Sequence, residues 1–64
     1  MKGNVQRFYP DKGFGFISVA GDRDHFFHID DAVNFKAANV YNGMEVEFES
    51  TDTVKGKRAL LVTA

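Results

Sequence analysis

The sequence predicts an all-β fold, a small five-stranded antiparallel barrel, on three observations. Five short segments of strand composition are separated by turn signals: residues 2–8 (KGNVQRF), 13–19 (GFGFISV), 24–29 (DHFFHI), 44–50 (MEVEFES) and 58–63 (RALLVT). No segment sustains a helical period. A chain of 64 residues cannot fill two packed sheets, whereas one sheet closed on itself hides its edges and encloses a single core. The closed form expected is of the oligonucleotide-binding type, with residues 1–64 as one domain.

The first connection is predicted as a type I turn carried by Pro10 and Gly13, the second as a tight turn at Gly21-Asp22, and a third turn signal stands at Asn42-Gly43. The stretch 30–43 is the one long connection. A single helical turn is expected after Ile29, capped by Asp30 or Asp31. In MEVEFES, Met44, Val46 and Phe48 share one face and Glu45, Glu47 and Glu49 the other, the pattern of a strand with one wet side. The second segment alternates differently. Ile17 and Val19 fall with Gly13 and Gly15 on one face, and Lys12, Phe14, Phe16 and Ser18 on the other. The aliphatic face suits a cramped interior and the Lys–Ser face suits water, so Phe14 and Phe16 are expected outside. With the Asp24 face of DHFFHI outside, Phe26 and His28 stand beside them and His25, Phe27 and Ile29 share the opposite face by parity.

Composition narrows the function classes. The chain has no cysteine, which removes disulfides, thiolate chemistry and cysteine metal ligands and fits a reducing, cytoplasmic setting. No apolar run approaches the roughly 18 residues that span a bilayer. His25 and His28 lie three apart and so face opposite ways in a strand, which argues against a shared metal ion. The glycines of GFGF precede no helix and no Gly-Lys-Ser/Thr, so they do not form a phosphate cradle. No hydroxyl or thiol has a plausible base beside it. The expectation is a binding protein without cofactor, and not an enzyme. Eight basic against nine acidic residues give a net charge of −1, so any polyanion site has to be local. Lys55, Lys57 and Arg58 are read as a solvated loop in preference to a phosphate contact.

A wet face of Phe14, Phe16, Phe26 and His28, edged by Lys12 and Arg7, is the chemistry that unpaired bases need: rings to stack on and cations for phosphates. KGFGFI followed by DHFFHI resembles the paired ribonucleoprotein motifs of the bacterial cold shock protein family, usually Lys-Gly-Phe-Gly-Phe-Ile and then Asp-Val-Phe-Val-His-Phe. The resemblance extends along the chain through MKGNVQRF, NGMEVEFE and GKRALLVT. It implies a five-stranded barrel that binds single-stranded RNA or DNA with little sequence preference, often favouring pyrimidine-rich strands, and acts as an RNA chaperone or regulator without ATP. Carried over by position, the binding residues are Lys12, Phe14, Phe16, Phe26 and His28, with Asp24 on the flank of the second motif.

The departures are equally specific. The family usually has Trp in the first strand, in a Lys-Trp-Phe-Asn run; here QRFY puts Arg7 in that place, and Tyr9 is the nearest ring to compensate. Arginine can still stack by its guanidinium plane and meet a phosphate. Ile29 replaces an aromatic residue. The family's loop aromatic falls at Ala37, with Phe35 two residues away as the substitute platform, and DDAVNFKAANV replaces the usual glycine-rich loop. The rival reading is a barrel with weakened nucleic-acid binding whose aromatic face serves protein association, the chain being a monomer or a weak dimer.

Overall fold

The computed structural model describes residues 1–64. Five strands, β1 (Lys2–Tyr9), β2 (Phe14–Ser18), β3 (His25–His28), β4 (Glu45–Thr53) and β5 (Gly56–Thr63), close into a barrel in the order β1-β2-β3-β5-β4. All neighbouring pairs are antiparallel except β3 and β5, which run parallel and meet at Phe26 and Arg58. The purely antiparallel sheet expected from sequence is therefore corrected to a mixed one. The reason is topological: the long connection carries the chain away from β3, β4 and β5 then form a hairpin, and closure against β3 is left to a strand of the same direction.

The turns form where the sequence signals them. Lys12 N and Gly13 N both donate to Tyr9 O, with Gly13 at φ 76°, so Pro10 sits at the second position of the turn and the glycine absorbs the left-handed step that follows. Between β3 and β4 lie two short 3₁₀ turns, Ile29–Asp31 and Ala37–Asn39. The first is the expected turn, but its cap is the His28 imidazole, whose Nδ1 accepts from Asp30 N at 3.1 Å; Asp30 and Asp31 occupy the turn itself. The second has no counterpart in the sequence reading.

The core is Val5, Ile17, Phe27, Met44, Val46, Phe48, Ala59 and Val62, the buried apolar side chains inside the barrel. Phe8 adds to it, its ring stacked on Phe27 at 5.8 Å. His25 is fully buried among these apolar groups. Its Nδ1 lies 2.9 Å from Arg23 O, which can only accept, so Nδ1 carries the proton and Nε2 accepts from the Ser50 hydroxyl at 2.8 Å. Both ring nitrogens are thus satisfied, and a buried polar group that is satisfied does not destabilise the interior.

Two irregularities set which way side chains point. In β1, Val5 opposes Ile17 but Arg7 opposes Phe16, so Gln6 is one residue in excess. The bulge shifts the phase of alternation: Gln6 and Arg7 are consecutive and both exposed, Phe8 turns inward, and Tyr9 turns outward. In β5 the excess residue lies between Leu60 and Thr63, and Leu61 there adopts φ 50° with 58% of its surface exposed.

Candidate nucleic-acid interface

The outer side of β1, β2, β3 and β5 is built in two rows across the sheet. One row runs Tyr9, Phe14, His28 and the other Arg7, Phe16, Phe26, Arg58, each residue paired directly with the next across neighbouring strands. The rings form one cluster. Phe14 lies 5.3 Å from Tyr9, 5.5 Å from Phe26 and 6.3 Å from Phe16, and Phe16 lies 5.9 Å from Phe26. None of Phe14, Phe16 and Phe26 belongs to the core cluster, and each is half-buried by its neighbours on the same face. Tilted and edge-on contacts of this kind leave part of each ring open to water, a geometry that accepts a flat partner.

Gly15 is what lets the two strands carry these rings so close together. A Cβ there would collide with the Arg7 carbonyl oxygen and come within 3.0 Å of both the Phe27 ring and the Phe8 Cα. Glycine at this position is thus a condition of the β1–β2 approach as well as of the curvature.

Charge is distributed unevenly around the barrel. The carboxylates Glu45, Glu47 and Glu49 project from β4, which borders only β1 and β5 and meets neither β2 nor β3. The aromatic face is bordered by cations. Arg7 Nη1 donates to the Tyr9 hydroxyl at 3.3 Å, and this bond, with Asp24 adding its charge, raises the guanidinium pKa above its ordinary value. Arg58 packs its guanidinium 5.7 Å from the Phe26 ring centre and donates to Asp31 at 2.9 Å, while its Nε is enclosed without a partner. Lys12 is exposed in the β1–β2 turn. A chain with net charge −1 still has a local cationic rim here.

The β4–β5 hairpin adds residues that sequence reasoning assigned to a solvated loop. Lys55, Lys57 and Arg58, with Thr53 and Val54, wall a groove of about 590 Å³ whose floor is Phe16 and Phe26. Lys57 is also paired with Asp52 at 2.8 Å, which raises the lysine pKa and lowers that of the carboxyl. The basic cluster was visible in the sequence; its position beside the rings follows from the parallel β3–β5 pairing, which left no local signal.

Of the residues named from sequence, Arg7, Tyr9, Phe14, Phe16, Phe26 and His28 lie on the one face, and Lys12 lies in the turn that joins β1 to β2. Phe35 does not join them. It lies in the long connection, half-buried, and packs against the core cluster. His25 and His28 face opposite sides of β3, the first buried and the second half-buried on the ring face.

Over residues 1–64 the sequence matches the family described as 'Cold-shock' DNA-binding domain. The chain belongs to the cold shock domain family. It is similar to Cold shock-like protein CspC of Shigella flexneri, 42% identical over all of this chain and 94% of the relative, and to Cold shock-like protein CspE of Escherichia coli, 40% identical with the same coverage. Cold shock-like protein CspD of Bacillus cereus is 39% identical over 95% of this chain and 92% of its own length. The family is nucleic-acid binding and not a catalytic one. No helix of the structure is long and apolar enough to cross a membrane.

Proposed function

We propose that the cold-shock-type barrel binds single-stranded RNA or DNA of low sequence specificity, with Phe14, Phe16, Phe26 and His28 as stacking surface and Arg7, Tyr9, Lys12, Lys55 and Arg58 around it, and works as an RNA chaperone or regulator in the cytoplasm. The observation that carries this reading is the ring cluster itself: four aromatic side chains in mutual contact on an outer face, outside the core, with cations on its margins and the barrel's carboxylate stripe on a strand that does not border β2 or β3. Bases stack on such rings with about 1–3 kcal/mol each, independent of sequence. Three stacked bases at about 2 kcal/mol, with a few phosphate contacts, amount to a gross ~8 kcal/mol, a micromolar dissociation constant. Arg7 in place of a tryptophan platform removes roughly one decade of that affinity, since about 1.4 kcal/mol is tenfold.

The test is a titration with a pyrimidine hexamer at low and at moderate salt, followed by amide shifts residue by residue. Shifts centred on β2 and β3, with affinity falling as salt rises, are the expected result. No response at several hundred micromolar in low salt would overturn the reading. A rival, in which the same rings form a contact between proteins, predicts concentration-dependent sizing and shifts on self-dilution that salt does not weaken.

A further inference from the structure

Beside Phe16, on the edge of the face away from the large groove, a recess of about 210 Å³ is lined by four residues: Gln6, Arg7, Phe16 and Asp24. The bulge makes this recess, because it turns Gln6 and Arg7 outward in succession where regular alternation would turn only one. Its polar groups are nearly free. The Asp24 carboxylate and the Gln6 amide have no hydrogen-bond or ion-pair partner in the structure, and the Arg7 guanidinium donates only to Tyr9. The recess therefore offers a two-oxygen acceptor, a fork of donors and an amide that can do either, all exposed, next to a ring on which a base can rest.

Resting on the nucleic-acid reading above, we infer that this recess is a base-edge subsite that selects guanine within an otherwise sequence-tolerant strand. The base edges decide it. A carboxylate pairs two-pronged with neighbouring donors, and guanine alone presents them, as N1–H and the N2 amino group. An arginine fork pairs two-pronged with neighbouring acceptors, and guanine presents those too, as O6 and N7. Adenine has a single donor group flanked by acceptors, and thymine or uracil one N–H between two carbonyls, so each leaves a charged group of the recess unmatched. A charged group that is covered by the base without being paired to it loses hydration that no bond replaces. Well-placed two-pronged pairs discriminate against the wrong base by about fivefold to a hundredfold. The replacement of a large apolar platform by Arg7 is thereby an exchange of stacking for edge reading.

The experiment is a set of single-stranded DNA hexamers, all-thymine, and with one guanine or one adenine moved through each position in turn, titrated against the intact protein. The expected result is one position at which guanine binds about tenfold tighter than adenine, with inosine, which lacks the N2 amino group, falling between them. Asp24→Asn should bring the guanine-to-adenine ratio at that position toward one, and Arg7→Lys should lower it. Both positions are exposed, so each variant should keep the wild-type melting temperature within a few degrees, which separates a lost preference from a lost fold. Equal binding of guanine and adenine hexamers at every position overturns the subsite and leaves the aromatic reading standing. Failure of every hexamer to bind overturns both.

Discussion

Truncating Phe26 to alanine separates a ring that serves the surface from one that serves the core. Phe26 touches Phe14 at 5.5 Å, Phe16 at 5.9 Å and the Arg58 guanidinium at 5.7 Å, and it is half-buried on the outer side of β3. Its neighbour Phe27 is fully buried in the core cluster. Aromatic pairs of this kind add about 0.5–1.5 kcal/mol beyond their area, and those around Phe26 form in a half-solvated layer, so F26A should cost about 1 kcal/mol. For a domain of this size that is a fall of roughly 4–8 °C in melting temperature. Phe27→Ala removes a buried ring at about 3–5 kcal/mol, comparable to the whole stability of so small a chain, about 3–5 kcal/mol, and should leave it largely unfolded at room temperature. Binding should run the other way. Loss of one stacking ring removes about 1–3 kcal/mol, so F26A should weaken a pyrimidine hexamer by at least fivefold. Thermal melts followed by circular dichroism and hexamer titrations on the same samples provide both numbers. Reasoning from the outer face is refuted if F26A unfolds as F27A does, or if it binds the hexamer within twofold of the parent.

Three further perturbations probe the frame that holds this face. Gly15→Ala forces a Cβ onto the Arg7 carbonyl oxygen, and overpacking of that kind against backbone should destabilise by more than about 2 kcal/mol, seen as a melting point lowered by ten degrees or more. Leu61→Gly acts in the opposite direction: a left-handed residue with a side chain costs about 1–2 kcal/mol, Leu61 is mostly exposed, and the substitution should raise the melting temperature by a few degrees in a denaturation scan. The Asp52–Lys57 pair yields a pH signature. The Asp52 pKa is lowered in the folded state, so its contribution is present above the unfolded carboxyl value near 3.9 and is lost as pH falls through the lower folded value; Asp52 is exposed and Lys57 only half-buried, so the effect is small and is read as a difference between Lys57→Met and parent melts that is present at neutral pH and vanishes near pH 2.

Much of the fold was legible because period-2 alternation is a strong signal wherever a strand has one buried side. Met44, Val46 and Phe48 point inward, as do Ile17 and Phe27, and the positions between them point outward, as their spacing implies. Turn chemistry was legible for the same kind of reason, since Gly13, Gly21 and Gly43 occupy the positive-φ positions that only glycine enters without strain. What was hidden is non-local. A bulge is defined by two strands together, so the outward succession of Gln6 and Arg7 carries no mark in β1 alone. The parallel contact of β3 with β5, which brings Lys55 and Arg58 to the rings, depends on the path of a long connection. That connection is also the hardest stretch to read: Phe35 is half-buried and packs against the core cluster, and the first 3₁₀ turn is capped by the His28 side chain where Asp30 or Asp31 was expected.

The spare residue in β1 has a consequence for how such a barrel can diversify. With the inward rhythm carried by Val5 and Phe8, what projects at Gln6 and Arg7 is released from any duty toward the interior. Chemistry at that corner can be rewritten, from flat ring to charged fork, while the hydrophobic filling beneath stays as it was. Recognition and architecture are inherited there as separate traits.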